Sequence, residues 1–264
     1  MTAPLVFITG ASSGIGQALA HECLQRCLRV ALVARRGPMV QDWLAQQHLA
    51  ALPQQAGVYV ADVGEPEQLQ TVAARCMHEM GVPDIVIANA GISLGVDLAQ
   101  PQDLAVFAEV MRTNVLGVAA SFQPFIEPMR LRGSGRLVAV ASVAGIRGLP
   151  GHAAYCASKA AVISLSESLR GELRGSGVRV VTLAPGYVAT PLTARNRYPM
   201  PFLMPAEGFA RQALDAIALG LSWRVIPWPM AWVARLLRVL PDALFDRLLK
   251  GQPRKHRHTD ANRR

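Results

Sequence analysis

Tyr155 and Lys159 stand four residues apart, and Ser142 lies thirteen positions before the tyrosine. A four-residue spacing puts two side chains on one face of a helix, one turn apart. An ammonium held beside a phenol favours the phenolate and so brings the tyrosine below its usual value of ~10. A phenol tuned toward neutrality can give or take a proton at a carbonyl or alcohol oxygen. Ser142 ends the apolar stretch Gly135–Ser142, which reads as a buried strand, so its hydroxyl falls at the C-terminal tip of that strand. Such a tyrosine–lysine pair also occurs on ordinary helix surfaces. The segments that position it decide which kind this is.

The chain opens with an apolar run, Leu5-Val-Phe-Ile8, that leads through Thr9 into Gly10-Ala-Ser-Ser-Gly14-Ile-Gly16 and then into a helical pattern through Leu19 and Leu24. Strand, glycine turn and helix form the context of a phosphate site. Glycines let the backbone approach a pyrophosphate, and the helix N-terminus offers free N–H groups and partial positive charge. Strand-like runs recur at Leu5–Thr9, Arg29–Ala34, 57–61, 84–89, 136–142, 178–184 and 224–227, separated by helix-length amphipathic stretches. That alternation predicts βαβ units and a parallel sheet. The 264 residues are 51% hydrophobic, enough for a large core and too apolar for disorder. No repeat or low-complexity linker interrupts the run.

Taken in order, Thr9-Gly10-Ala-Ser-Ser-Gly14-Ile-Gly16, Ala88-Asn89-Ala90-Gly91, Asn114, Ser142, Tyr155-Cys-Ala-Ser-Lys159 and Pro185-Gly186 resemble the short-chain dehydrogenase/reductase family. The resemblance covers about residues 4 to 192. It implies a Rossmann-like, doubly wound parallel α/β sheet of about seven strands with helices on both faces. One catalytic domain over 1–227, an amphipathic helical extension over 228–250 and a basic tail over 251–264 are expected. It further implies catalysis by Asn114, Ser142, Tyr155 and Lys159, without metal. Tyr155 would be the general acid for carbonyl reduction and the base in reverse, and Ser142 would hold the substrate oxygen. Lys159 would also bind the nicotinamide ribose. The family counterpart of Asn114 disturbs its helix and holds a water that relays protons to the lysine.

The implied cofactor-binding set is Gly10, Ser12, Ser13, Gly14, Ile15, Gly16, Arg35, Arg36, Asp62, Val63, Asn89, Ala90, Gly91, Tyr155, Lys159, Pro185, Gly186, Val188 and Thr190. Asp62 would meet the adenine amino group and Val63 its ring. Asn89 would tie its strand to the neighbours or touch the cofactor, and Thr190 would reach the carboxamide. The tip of the second strand chooses between NAD and NADP: an acid there binds both ribose hydroxyls, an arginine takes a 2′-phosphate. The strand Arg29–Ala34 ends in Arg35-Arg36 with no acid. Two guanidiniums suit a phosphate, so NADP(H) is expected ahead of NAD(H), with Arg35 the leading ligand.

Substrate choice is expected in Ile92–Ala99, Val143–His152 and Thr190–Pro205, where Leu94, Ile146, Leu149 and the run Tyr198–Pro205 favour an apolar ketone or aldehyde, or its alcohol, beneath a lid, and the resemblance to family members with similar C-terminal extensions implies that it can be lipid-like. Arg147 and Arg195 are the exceptions to that apolar character. His152 reads as a helix-start or surface residue. Cys23 and Cys27 read as small apolar groups sharing one face of the first helix, and Cys156 as packed away from substrate. With no basic N-terminal region and no disulfide pattern, a cytoplasmic, reducing location is expected. Charge is uneven. Residues 1–220 carry 17 Lys and Arg against 15 acids, and residues 221–264 carry 10 against 3. The tryptophan-bearing, basic C-terminus can lie on an anionic membrane surface, or it can cover the substrate pocket or a subunit interface. A homodimer or homotetramer is the family expectation; a nucleic-acid partner is not expected. Two rival functions remain: a non-catalytic NADP-binding regulator, and a peripheral membrane protein acting through its tail.

Overall fold

A computed structural model describes residues 2–47, 55–194, 196, 199–251, 255 and 257. Seven strands, β1 (Leu5–Thr9), β2 (Arg29–Ala34), β3 (Ala56–Val60), β4 (Ile85–Ala88), β5 (Gly135–Val140), β6 (Val178–Pro185) and β9 (Trp223–Ile226), form one sheet in the order β3-β2-β1-β4-β5-β6-β9. Every pairing is parallel. Parallel strands need helical crossovers, which bury both faces of the sheet. The strands obey this: Val6 and Ile8 join one core while Leu5 and Phe7 join the other.

The first core packs under α1 (Gly14–Gln25), α2 (Gly37–Ala45) and α7 (Ala206–Ala218). The second packs under α3 (Pro66–Met80), α5 (Gly117–Arg132) and α6 (Ala153–Glu172). Phe7 sits edge-on to Phe125, ring centroids 4.8 Å apart, and both are fully buried. Truncating either to alanine costs about 3–5 kcal/mol. The strand bounds expected from sequence hold to within two residues. The short parallel pair β7 (Val188–Ala189) and β8 (Met204–Pro205) was not expected. Its two-residue strands carry no periodicity to read.

Three local features position the site. The order of strands turns back on itself between β1 and β4, and such a switch leaves a crevice at the strands' C-terminal ends. Between α4 (Asp103–Met111) and α5 the helix widens into a π turn, Arg112–Leu116, centred on Asn114. Beyond β9, α8 (Pro229–Val239) and α9 (Asp242–Leu249) fold back over the loop that follows β5. Cys27 corrects an expectation. The first helix stops at Gln25, and Cys27 lies past it, exposed and left-handed at φ 58°, while Cys23 is buried.

Candidate active site

At the ends of β1 and β4 lies a cleft of about 300 Å³. Gly10 and Gly14 take φ of 72° and 58°, a region that strains any residue with a Cβ. A Cβ on Gly10 would stand 2.7 Å from the Ala90 Cα, and one on Gly16 would stand 2.2 Å from the Gly10 carbonyl oxygen. The turn is therefore compact because it lacks side chains. The first turn of α1 carries no acid, and its N-cap, Ser13, makes no side-chain cap bond. Its N–H groups, together with Ser12, Ser13, Gly14 and Ile15 on the cleft wall, can receive an anionic group.

At the tip of β2 both guanidiniums line the cleft. Arg36 donates to Ser12 Oγ at 3.1 Å, and Arg35 lies 3.5 Å from Asp62. Asp62 receives the Gly64 N–H, and Val63 lines the cleft beside it. Asn89 ties β4 to β1 by donating its amide to the Thr9 and Gly10 carbonyls at 3.0 and 3.4 Å. Asn89, Ala90, Gly91, Pro185 and Thr190 complete the wall. Gly16 and Val188 lie behind it, and Gly186 faces a second cavity instead. These residues fit a dinucleotide: glycines where backbone must approach, an uncapped helix N-terminus for a pyrophosphate, and arginines at the ribose end.

Tyr155 and Lys159 project from the first turns of α6. Lys159 is buried, donates to the Val140 carbonyl at 2.8 Å and sits 5.8 Å from the Tyr155 ring centroid. The electrostatics differ from the sequence expectation. Burial pushes Tyr155 above its ordinary value, the Ser142 hydroxyl pulls it partly back, and the thiol of Cys156 adds to the rise. Lys159 is itself brought down to about 8 by burial. In a dry site the cost of creating charge outweighs a lysine whose proton is already committed to a carbonyl. Ser142 lies two residues past β5 and accepts the Ala144 N–H at 3.1 Å.

Asn114 does not reach either cavity. Fully buried in the π turn, it accepts from Ile92 N at 2.8 Å and donates to Ile92 O and to Ser158 Oγ, each at 2.9 Å. Ser158 in turn donates to the Tyr155 carbonyl at 2.8 Å. The amide thus links the loop after β4 to the helix that carries Tyr155. Gly91 opens the space beside it, for a Cβ there would meet Asn114 Oδ1 at 3.2 Å and Lys159 Nζ at 3.5 Å.

A second cavity, about 280 Å³, adjoins the first, and Tyr155 and Leu192 line both. Ser142, Val143, Ile146 and Leu149 form one wall, as the sequence suggested. The opposite wall is the inner face of α8, with Met230, Val233, Ala234 and Leu237 at helical spacing, so the C-terminal segment covers this cavity, one of the places the sequence offered for it. Gly186 has no Cβ because Met230 packs there, 2.8 Å from where one would be. Arg147 fastens this wall. It donates to the Leu237 carbonyl, to the Leu240 carbonyl at 2.6 Å and to Asp242 at 2.7 Å, and lies 3.9 Å over the Phe245 ring. Arg238 reaches back to Ile146 O at 3.3 Å.

His152 is the N-cap of α6, the helix-start position expected of it; it is buried in this cavity rather than at the surface, and burial with the nearby Lys255 cation brings it down to about 4. Cys156 is buried outside the lining, as expected. Of the lid run Tyr198–Pro205, Pro201 lines the cavity while Phe202 and Leu203 are exposed; Arg195 and Tyr198 lie outside the described residues. Most of the tail over 251–264 lies outside them too.

The comparisons agree with the fold. A family profile for short chain dehydrogenases matches residues 4–200. An uncharacterized oxidoreductase of Myxococcus xanthus is 40% identical over 242 residues, 90% of this chain and 93% of the relative. A 2-(R)-hydroxypropyl-CoM dehydrogenase of Xanthobacter autotrophicus is 34% identical over 193 residues, 72% of this chain and 76% of the relative. Among solved structures, a Burkholderia phymatum member in complex with NAD superposes with a TM-score of 0.80 at 25% identity, over 89% of this chain and 92% of that one. A Burkholderia cenocepacia short chain dehydrogenase in complex with NADP gives 0.79 at 23% identity, over 94% and 98%, and speaks to the fold. The chain belongs to the short-chain dehydrogenase family and is an oxidoreductase of that family; a nicotinamide cofactor is what its nucleotide cleft and its relatives support.

Proposed function

We propose that the protein is an NADP(H)-dependent oxidoreductase that interconverts an apolar ketone or aldehyde and its alcohol. The observation that carries the reading is that Tyr155 lines both the nucleotide cleft and the apolar cavity. When bound, the nicotinamide supplies or accepts the hydride. Tyr155 gives its phenolic proton to the carbonyl oxygen on reduction and takes it back on oxidation. Its raised pKa keeps that proton in place at neutral pH. Ser142 donates to the same oxygen and stabilises charge developing on it. Lys159 is largely charged below pH 8 and favours the phenolate left behind. Asn114, in the π turn, ties the loop after β4 to the helix that carries Tyr155 and Lys159. Arg35 and Arg36 take the 2′-phosphate, because a fork of donors matches its oxygens. Gly10 to Gly16, Asn89 to Gly91, Pro185 to Val188 and Thr190 shape the rest of the nucleotide site.

Titration with NADPH and NADH, followed by a panel of apolar ketones and aldehydes, tests the reading. Arg35→Ala should weaken NADPH far more than NADH; equal weakening refutes the phosphate role. Tyr155→Phe should keep NADPH binding and lose turnover by ~10²-fold or more. Cofactor binding with unchanged cellular function in that variant would favour a non-catalytic regulator.

The outer face of the C-terminal helices supports a second reading, contact with an anionic membrane surface. Trp228 and Trp232 are 64% and 66% exposed, with Leu236 and Val239 following at helical spacing and Leu244 and Leu248 on α9. Arg235, Arg247 and Lys250 flank them, exposed. Tryptophans and leucines between cations suit the headgroup boundary. Co-sedimentation with phosphatidylglycerol vesicles should be lost in Trp228→Ser/Trp232→Ser. A dimer that these changes disrupt, with no vesicle binding, would assign the stripe to a homo-oligomer instead. Four free cysteines suit a reducing, cytoplasmic location.

A further inference from the structure

The apolar cavity holds two cations and no carboxylate among its described lining residues. They are not equivalent. Arg147 is committed to the carbonyls of Leu237 and Leu240 and to Asp242. Lys255 is not committed to an acid. Its ammonium donates to Ser93 Oγ at 2.7 Å, and no carboxylate lies within ion-pairing distance of it among the described residues. The neighbouring imidazole of His152 is kept neutral, so it adds no second positive charge beside the ammonium.

An ammonium brought into a partly buried, apolar setting loses hydration and must be held there. The hold is visible two residues on. Arg257 makes two bonds to Asp103, Nε to Oδ2 at 2.8 Å and Nη2 to Oδ1 at 3.0 Å, and the Asp103 side chain is fully buried. Asp103 also accepts the Asp97 N–H at 2.8 Å, which fixes the loop that carries Ser93 and Asp97. Ser93 and Lys255 therefore face the cavity from two segments pinned to the same carboxylate.

We infer that Lys255 and Ser93 form an anion subsite within the substrate cavity, and that the preferred substrates are apolar oxo acids or hydroxy acids bearing a free carboxylate. This rests on reading the cavity as the substrate site. One ammonium and one hydroxyl are a two-point donor set, which matches the two oxygens of a carboxylate; a phosphate would call for more donors and charge. The remaining walls take the hydrocarbon between the carboxylate and the reacting oxygen. At about 280 Å³ the cavity is near the small end of ligand sites, which run from roughly 300 to 1,000 Å³. It therefore suits a short chain or a single ring.

The test uses the full-length protein with NADPH and a matched pair: a straight-chain methyl-ketone acid and its methyl ester. Calorimetry of the unreactive fatty acid of equal length and of its methyl ester gives a second readout that needs no turnover. Wild type should favour the acid over the ester by tenfold or more in kcat/KM and in affinity. Lys255→Met should collapse both ratios to about one, Lys255→Arg should restore most of the preference, and Ser93→Ala should lower it partially. Melting temperature and NADPH affinity establish that each variant is folded. Turnover of the ester without preference for the acid overturns the subsite while leaving the oxidoreductase reading standing. An equal loss for acid and ester in Lys255→Met also overturns it, since that is a packing effect. Acid binding without turnover keeps the subsite and counts against the catalytic reading. If neither ligand binds, the cavity is not a substrate site and both fall.

Discussion

Arg147→Ala should release the C-terminal helices without unfolding the sheet. Arg147 holds two carbonyls at the end of α8 with a charged donor, each bond worth about 1.5–3 kcal/mol. Its contact with Asp242 adds little, because that carboxylate is 97% exposed and solvent screens it. The guanidinium over Phe245 adds about 0.5 kcal/mol at the low end. Freed carbonyls regain water, so the low end of each range applies. The sum is about 3.5 kcal/mol, on the order of 300-fold in the opening equilibrium. Amide hydrogen exchange reads this directly. Amides of α8 and α9 should exchange some two orders of magnitude faster in the variant, while those of β4, β5 and β6 keep their protection. KM for an apolar ketone should rise with the NADPH dissociation constant unchanged, because Arg147 lines only the second cavity. Arg147→Lys should fall between, having charge without the fork. Exchange in α8 and α9 within about threefold of wild type would refute the clamp, for the bonds would then be replaceable by water at no cost.

Gly16→Ala should abolish NADPH binding and lower the melting temperature, since the new Cβ meets backbone at 2.2 Å; retained affinity by calorimetry would show that the turn can shift. Asn114→Ala leaves the N–H and C=O of Ile92 without their partner in a partly buried place and should cost about 2–4 kcal/mol in urea unfolding, with turnover reduced beyond the stability loss. For reduction, kcat/KM should hold from neutral pH and fall as pH rises through about 8, where Lys159 loses its proton while Tyr155, raised by burial, keeps its own. Lys159→Arg should push that fall to higher pH; an unmoved profile would assign it to another group.

The strands and the glycine turn were legible because their signals are short-range. A five-residue apolar run reports a strand buried on both faces, and Gly10, Gly14 and Gly16 report backbone conformations and contacts within one turn. The Tyr155–Lys159 pairing was legible for the same reason, one helical turn being a local fact. The sign of the tyrosine's shift was not. It depends on how dry the site is and on the Val140 carbonyl that holds the lysine, 19 positions away. Cys27 and the burial of His152 escaped likewise: a helix end two residues earlier exposes Cys27, and His152, legible as a helix start, lies in a cavity it shares with Lys255, far along the chain. The second cavity joins Ser93, Ser142 to His152, Gly186, Met230 to Leu237, Leu249 and Lys255, and no pattern within any one segment announces which of these side chains meet.

The charge of the C-terminus shows what composition leaves out. Its ten basic against three acidic residues point to an anionic partner outside the protein. Yet Arg238 turns inward to Ile146 O, Lys255 to Ser93 at the cavity and Arg257 to Asp103, all within the chain. The cations left on the outer face beside the tryptophan stripe are Arg235, Arg247 and Lys250 among the described residues. Inward and outward charges therefore have separate consequences. Neutralising Arg235, Arg247 and Lys250 together should weaken vesicle binding by about 1 kcal/mol each near the surface, with a steep dependence on salt. Substrate selectivity should stay as it was. Neutralising Lys255 should do the reverse. If both sets moved both readouts alike, the C-terminal segment would be acting through overall charge, and the division of its two faces between pocket and surface would be wrong.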